Sequence, residues 1–234
     1  MIYNNHNNPA ILSSNTISNL MYRVYGWMSM ALAMTAATAY YVAHQPQLLM
    51  AIFSSPAITV TLALLQFGLV IGLSMLLPRI SFTTALVMFV AYAVVTGLFL
   101  SSIFILYTYS SIYTTFLITG GMFGVMSLYG YFTKSDLTGL GNILFMALIG
   151  LIISTVVNIF VQSSGFETLL SAFGVIIFTL LTAYDVQRIK RIAMGMLANE
   201  TALSQIALFG ALQLYLDFIN LFLYLLRFMG RRRN

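Results

Sequence analysis

The strongest candidates for chemistry are two aspartates that lie in otherwise apolar segments. The stretch YLDFINLFLYLLR, residues 215–227, carries Asp217 among large apolar side chains. Polar residues recur around it every three or four positions and share one helical face: Gln213, Asp217, Asn220, Tyr224 and Arg227. A buried carboxylate must take up a proton or find a cation, so Asp217 is a candidate for proton or cation chemistry. Gln213 and Asn220 are better explained as hydrogen-bonding partners of neighbouring helices.

The second aspartate lies in FTLLTAYDVQRIK, residues 178–190, close to the predicted cytoplasmic end of a helix. Thr182 precedes Asp185 by about one helical turn on the same side. Arg188 follows it by about one turn, so two interpretations stay open. Asp185 is a functional carboxylate, or it forms a local ion pair with Arg188 at the membrane interface.

Enzymatic chemistry finds no support in the sequence. The chain has no cysteine, which excludes disulfides, thiol catalysis and cysteine-based metal sites. Its two histidines, His6 and His44, belong to no cluster of possible metal ligands. Zinc-protease, serine-hydrolase and nucleotide-binding motifs are absent, and the aspartates lack the GxGD element of intramembrane aspartyl proteases. We therefore expect a protein that is not an enzyme and has no resident cofactor.

Membrane-spanning helices must position these polar residues. Of 234 residues, 60% are hydrophobic and 6% are charged, whereas a soluble domain carries about 25% charged residues. A transmembrane helix needs about 20 mainly apolar residues, and seven runs qualify: 24–43, 57–77, 82–106, 112–132, 142–162, 168–187 and 204–226. In the fifth run, Ser154, Asn158 and Gln162 are expected to bond to neighbouring helices. The prediction is an all-α integral membrane protein, in which one seven-helix transmembrane domain (21–234) follows a flexible polar tail (1–20).

The basic residues predict how the helices are oriented. They precede the first run or lie in the second, fourth and sixth connections: Arg23, Arg79, Lys134, Arg188, Lys190 and Arg191. The other connections carry no Lys or Arg, and their only charge is Glu167. Under the positive-inside rule the N-terminus and the basic connections are cytoplasmic. Most of the net charge of +5 acts as a topology signal of this kind, so nucleic acid is not an expected partner.

The C-terminal GRRRN, residues 230–234, conflicts with this pattern. With seven complete crossings, this segment and Arg227 fall on the non-cytoplasmic side. Either the last helix crosses completely and its tail violates the rule, or residues 204–226 form a re-entrant element that returns to the cytoplasm. The absence of a proline within the run favours a complete crossing.

Three blocks of the sequence resemble the Bax inhibitor family, also called the transmembrane Bax inhibitor motif family, and its bacterial branch in particular. The blocks are GLFLSSIFILYTYSSIYTTFLITGGMFGVMSLYGYFTKSDLTGLGN (97–142), LTAYDVQRIK (181–190) and LYLDFINLFLYLLRFMG (214–230). The similarity extends over nearly all of the chain after residue 20. It implies six helices wrapped around a central, hydrophobic seventh helix, in the cytoplasmic (inner) membrane of a bacterium.

The resemblance also implies a paired-aspartate site. The two family positions fall on Asp185 and Asp217, and a family arginine that helps to latch the closed state falls on Arg79. Asp136, in the KSDL motif, is expected to cap a cytoplasmic loop or to form a salt bridge. Three polar residues are expected to support the pair: Thr182, Gln213 and Asn220.

A paired site of this kind implies a gate. Two carboxyl groups within hydrogen-bond reach cannot both ionise at low cost, so they share a proton and titrate as one unit. The shared proton holds two helices together through an O–H···O⁻ bond. Its loss leaves two like charges, which push the helices apart or attract Ca²⁺, a cation that prefers oxygen ligands. The resemblance thus implies a pH-sensitive calcium or cation leak, with Asp185 and Asp217 as gate and possible Ca²⁺ site. Its partners would be the lipid bilayer, protons and calcium ions.

A second function belongs to a different class. Some bacterial relatives are associated with a membrane-bound ATP-dependent protease, so the resemblance also allows a regulator that transports nothing. The polar tail, residues 1–20, is the segment that such a protease could engage. Its alternative interpretation is a tail without function.

One geometric condition applies to the aspartate pair. Asp217 lies about 20 Å beyond Ser204 at 1.5 Å per helical residue, whereas Asp185 is close to the end of its run. The two carboxyl groups meet only if the last helix effectively begins near Gln213, or if it is tilted, kinked or broken.

Overall fold

The protein is almost entirely helical. The computed structural model describes residues 9–76, 80–195 and 200–233, and within these ranges the only β-structure is one isolated bridge. The helices are α1 (Pro9–Ala43), α2 (Pro46–Phe53), α3 (Pro56–Leu76), α4 (Phe82–Leu100), α5 (Ile103–Leu106), α6 (Tyr109–Phe132), α7 (Thr138–Val161), α8 (Ser164–Met194) and α9 (Glu200–Met229). The predicted all-α class is confirmed.

Six helical stretches of the described residues are long and apolar enough to cross a membrane: α3, α4 together with α5, α6, α7, α8 and α9. These stretches fit a multi-pass membrane protein. The first predicted run, 24–43, is helical as part of α1, but α1 is not one of the six. Its threonines, serines and tyrosines make it less apolar than the other runs. The seven-span arrangement therefore stays a prediction.

The N-terminal segment differs from the predicted tail. Residues 9–20 are part of α1, and residues 1–8 lie outside the described residues. Ile17 and Leu20 are buried about one helical turn apart, because apolar residues recur at helical spacing within the Asn- and Ser-rich sequence. The predicted boundary at residue 20 therefore lies inside a helix.

Short polar motifs fix where several helices begin. Ser81 caps α4, because its Oγ accepts a hydrogen bond from the Thr84 amide (3.1 Å). Thr108 caps α6 in the same way through the Ser111 amide (3.3 Å). These caps satisfy amides that have no partner within the first helical turn.

Two residues of α7 and its C-terminus, Asn158 and Gln162, end this helix. Gln162 adopts the left-handed backbone conformation with a φ of 53°, which stops the helix. The side-chain oxygen of Asn158 accepts a hydrogen bond from the Ser163 amide (3.2 Å). Asn158 thus caps its own helix through Oδ1, and its predicted bond to a neighbouring helix stays a prediction.

The chain packs as two compact units, each built from two separate parts of the sequence. Unit 1 comprises the described residues up to Ser101 together with Arg188–Gln213. Unit 2 comprises Ser102–Gln187 together with the described residues from Leu214 onward. The single-domain organisation predicted from the sequence stays a prediction.

Close packing in unit 1 centres on α1 and α4. The Thr35 hydroxyl donates a hydrogen bond to the Ala93 carbonyl (2.9 Å). Gly97 is required for the close approach of α4, because a Cβ at this position would meet the Thr38 side chain and the Thr35 carbonyl. Small residues and interhelical hydrogen bonds are the usual means of joining helices in a membrane.

Glycines bring two helices of unit 2 into direct contact with α8. A Cβ at Gly130 of α6 would meet the backbone carbonyl of Ala183. A Cβ at Gly141 of α7 would meet the ring of Tyr184. An apolar core fills the remaining space of this unit: Leu144, Leu151, Leu170, Ile177, Phe178, Leu181, Leu221 and Leu225.

The last helix is the most enclosed of the six apolar stretches. In the most apolar part of α9, 61% of the residues are buried, against 6% in α3 and 11% in α7. This burial agrees with an interior position for α9. That six helices surround it stays a prediction.

The C-terminal tail lies against connections that contain no Lys or Arg. Two hydrogen bonds form an antiparallel bridge between Tyr107 and Arg232. The Thr108 amide donates to the Arg231 carbonyl (3.2 Å), and the Arg233 amide donates to the Leu106 carbonyl (2.9 Å). Arg232 also meets Glu167, near the start of α8, at 3.4 Å. Because α9 is unbroken and ends where α6 and α8 begin, it passes through unit 2 completely. The described part of α9 is therefore not re-entrant.

Gly130→Ala should destabilise the protein, because the new methyl group would collide with the Ala183 carbonyl and push α6 away from α8. We expect a cost of about 2 kcal/mol, measured as a lower Tm in detergent. Gly124→Ala is the matched control on the same helix, since nothing lies within 4 Å of its added methyl group. Alanine should there stabilise the helix by about 0.5–1 kcal/mol. Equal Tm values for the two variants would contradict the close α6–α8 contact.

Single cysteines can test the position of the tail, because the chain contains no cysteine of its own. Ser110→Cys and Arg231→Cys should react with a membrane-impermeant maleimide from one side of the membrane, and Ser135→Cys from the other. The reason is that α6 has 24 residues and is about 36 Å long, enough to cross a bilayer. All three positions are exposed. Labelling of Arg231→Cys from the same side as Ser135→Cys would restore the re-entrant alternative.

Candidate functional site

The structure brings the two predicted aspartates together in the interior of unit 2. Asp185 on α8 is 3% exposed and Asp217 on α9 is 4% exposed. Their carboxyl groups share a hydrogen bond, and they also interact electrostatically. A hydrogen bond between two carboxyl groups requires a proton on one of them. The pair can therefore hold one proton between two helices.

The pair forms although the last helix begins early. Helix α9 is continuous from Glu200, so neither a late start near Gln213 nor a broken helix accounts for the pair. Asp217 lies far from the start of α9, and Asp185 can reach its level because α8 is also longer than predicted. Helix α8 continues to Met194, whereas its predicted run ended at residue 187. Asp185 therefore lies about 14 Å before the end of its helix and not close to it.

The α6–α7 hairpin holds the segment of α8 that carries Asp185. The glycine contacts of α6 and α7 are made with the two residues immediately before Asp185. Two residues after it, Gln187 bridges the α6–α7 connection. Its Nε2 donates to the Ser135 carbonyl (2.8 Å), and its Oε1 accepts from the Leu137 amide (3.0 Å). Asp185 is thus placed by contacts on both sides of it along the helix.

Asp136 stabilises the same connection, at the point where α7 begins. Its Oδ1 accepts hydrogen bonds from the Thr138 amide (3.0 Å) and from the Thr138 hydroxyl (2.7 Å). These bonds satisfy the start of α7, as expected of a carboxylate at a helix N-terminus. The arrangement agrees with the predicted role of a loop cap.

Aromatic packing sets the position of Asp217. The neighbouring ring of Phe218 lies edge to face against Phe116 and against Phe123 of α6, each with centroids 5.5 Å apart. Such ring pairs stabilise by about 0.5–1.5 kcal/mol beyond the burial of their surface. Because Phe218 is fixed on α6, the rotation of α9 is fixed with it, and Asp217 meets α8.

The rest of the predicted polar stripe is satisfied locally or lies elsewhere. Asn220 and Thr182 each donate to the carbonyl one turn earlier in their own helix, both at 2.8 Å. An interhelical bond of Asn220 stays a prediction. Gln213 is half-buried and belongs to unit 1. Arg79 lies outside the described residues, so its role as a latch stays a prediction.

Polar groups on α6 extend the site beyond the predicted residues. Thr115, Thr119, Phe123 and Ser127 follow one another at a spacing of four, and all are buried. We call the three hydroxyl-bearing residues among them the hydroxyl stripe. Thr119 donates to the Thr115 carbonyl (2.8 Å). The spacing is visible in the sequence, but serine and threonine occur in every apolar run and do not stand out there.

The pair can receive a cation but does not form a closed metal site. Among residues 9–76, 80–195 and 200–233, no group of three or more His, Cys, Asp or Glu side chains could hold a metal ion. Ca²⁺ takes six to eight oxygen ligands, and two carboxyl groups supply at most four. The arrangement therefore suits a cation that keeps part of its hydration shell, as a passing ion does.

Comparison with known proteins identifies the family. The family model described as "Inhibitor of apoptosis-promoting Bax1" matches residues 17–234. The chain belongs to the Bax inhibitor family. Inner membrane protein YbhL of Escherichia coli K12 is 45% identical over 218 residues, which cover 93% of each chain. An uncharacterized protein of Borreliella burgdorferi is 48% identical over 213 residues, which cover 91% of each chain. The resemblance found in the sequence motifs is thus confirmed.

Gln187→Ala should loosen the α6–α7 connection, because the Leu137 amide loses its acceptor and the Ser135 carbonyl loses its donor. We expect hydrogen exchange at the Leu137 amide to become about fivefold faster, equivalent to one lost hydrogen bond of about 1 kcal/mol. Gln47→Ala removes an exposed glutamine of α2 and should leave this exchange unchanged. Unchanged exchange in Gln187→Ala would contradict the bridge.

Proposed function

We propose that this Bax inhibitor family protein is a pH-sensitive leak for calcium or other cations in the bacterial cytoplasmic membrane. The gate is the proton that Asp185 and Asp217 share, and the N-terminus and basic connections face the cytoplasm. The observation that carries the proposal is the hydrogen bond between two buried carboxyl groups on two apolar helices. An ionisable group inside a membrane is costly and marks a functional site by default.

The gate works by proton loss. In the closed state one proton holds α8 and α9 together through a charge-assisted hydrogen bond. Deprotonation leaves two negative charges at hydrogen-bond distance, where the apolar surroundings screen them little. The helices then separate at the level of Asp185 and Asp217, or they take in a cation. Either response raises cation flux as the pH rises.

Buried oxygen atoms support a route for the ion through unit 2. Among the described residues, the side-chain oxygens of this unit that are buried without a hydrogen-bond partner include Asp217 Oδ2, Ser127 Oγ and Thr179 Oγ1. A buried oxygen is costly unless it meets a donor or a cation. Ser127 belongs to the hydroxyl stripe, so these atoms supply oxygen ligands to a partly hydrated ion. Arg79, at the predicted cytoplasmic end of α3, would latch the closed state.

Calcium influx into liposomes that hold an indicator dye tests the gate. We expect influx to rise about tenfold between pH 6 and pH 8, since one shared proton is lost as the pair titrates. Asp185→Asn and Asp217→Asn should each abolish the pH dependence, because an amide does not ionise in this range. Asp136→Asn is the control: it removes a carboxylate from a loop cap and should retain the pH dependence. Gel filtration and helicity show whether each variant is folded.

Influx no greater than in protein-free liposomes at every pH would contradict the leak. Such a result would favour the second candidate, a regulator that binds a membrane-bound ATP-dependent protease. Residues 9–20 are helical and include buried side chains, so a truncation should stop before them. Deletion of residues 2–8 should then abolish co-purification of the protease, whereas the aspartate variants should retain it.

A further inference from the structure

Four exposed arginines lie at the end of α9, beside connections that carry little other charge. The arginine patch consists of Arg227, Arg231, Arg232 and Arg233. In the adjoining connections, 107–111 and 162–167, the only charged residue is Glu167. Its ion pair with Arg232 is open to solvent, with side chains 39% and 67% exposed, and contributes little to stability. The arginine patch therefore keeps a net positive charge.

The backbone holds the arginine patch in place. In addition to the pairing of residues 231–233 with residues 106–108, the Arg231 amide donates to the Ser111 hydroxyl (2.9 Å). Gly230 permits this close approach, because a Cβ there would meet the Leu226 carbonyl and the Tyr107 ring. Arg231, Arg232 and Arg233 are thus presented by a hydrogen-bonded segment at the start of α6.

Exposed apolar side chains border the arginine patch. Four of them are about half exposed: Phe228 at 52%, Met229 at 49%, Leu106 at 55% and Tyr109 at 51%. The guanidinium of Arg227 lies 5.6 Å from the centroid of the Tyr224 ring. Tyrosines and long basic side chains gather where a membrane helix reaches the headgroups. We therefore expect the arginine patch to lie where acyl chains meet headgroups.

We propose that the arginine patch binds anionic phospholipids of the adjacent leaflet. A guanidinium group can donate two parallel hydrogen bonds to a phosphate, and the apolar border offers a surface to the acyl chains. The border favours a lipid over a soluble phosphate. This binding is independent of the aspartate gate.

Native mass spectrometry of the full chain in a neutral detergent tests the proposal, with phosphatidylglycerol and phosphatidylcholine of equal acyl chains as probes. The wild type should retain phosphatidylglycerol in preference to phosphatidylcholine. The triple variant Arg231→Gln, Arg232→Gln, Arg233→Gln should bind phosphatidylglycerol at least about fivefold more weakly, since each basic residue near anionic lipid contributes roughly that factor. A control variant loses three exposed positive charges elsewhere: Lys134→Gln, Arg188→Gln and Arg191→Gln. Its affinity should fall less than that of the triple variant.

Glu167→Gln keeps all four arginines and tests the proposal in the opposite direction. It removes the carboxylate that competes for Arg232, so phosphatidylglycerol should bind about twofold or more tightly. Raised salt should weaken binding, because the charges are exposed. Equal retention of the two lipids by the wild type would overturn the proposal, and so would weaker or unchanged binding in Glu167→Gln. Displacement of phosphatidylglycerol by millimolar inorganic phosphate would also overturn it, since that result indicates a soluble anion site.

Discussion

The hydrogen bond between the carboxyl groups of Asp185 and Asp217 constrains the packing of unit 2. A hydrogen bond tolerates only a few tenths of an ångström of change in length, so α8 and α9 must keep both their rotation and their axial position. On α8 this is achieved by glycines that admit α6 and α7 to backbone distance. On α9 it is achieved by the ring of Phe218. A movement that relaxes either set of contacts also separates the carboxyl groups, which links the polar contact to the apolar packing around it.

Most polar side chains in the apolar helices satisfy themselves without a second helix. Several threonines donate to the carbonyl four residues earlier, among them Thr61, Thr119, Thr155 and Thr182. Hydrogen bonds within one helix suit a membrane, where every polar group must find its partner inside the protein. The exceptions are therefore informative. Asp217 and Gln187 reach across to other elements of unit 2, and both contribute to holding α8 at the level of the pair.

The sequence predicted the elements better than their ends and partners. The length and composition of the apolar runs were enough for the helical class, and the family motifs were enough to select Asp185 and Asp217. The extension of α8 to Met194 was missed because the hydropathy criterion stops at charged residues, although Ile189 and Ala193 are buried at helical spacing. No sequence pattern identifies Gln187 as a bridging residue, since its partners are backbone groups some fifty positions earlier in the chain. Spacing predicted a polar face that includes Asn220, but it could not show that the side chain bonds within its own helix.

The pairing of the C-terminal tail with residues 106–108 has a consequence for biosynthesis. Helix α9 leaves the ribosome after α6 and α8; it carries Asp217 and is followed by the segment that pairs with the start of α6. Asp185 is therefore made before the carboxyl group that it contacts, and residues 106–108 are made before residues 231–233. Insertion of α9 completes a polar contact in the interior and a backbone pairing at the surface of unit 2. Nascent chains that stop before α9 lack both contacts, which distinguishes them physically from chains that contain it.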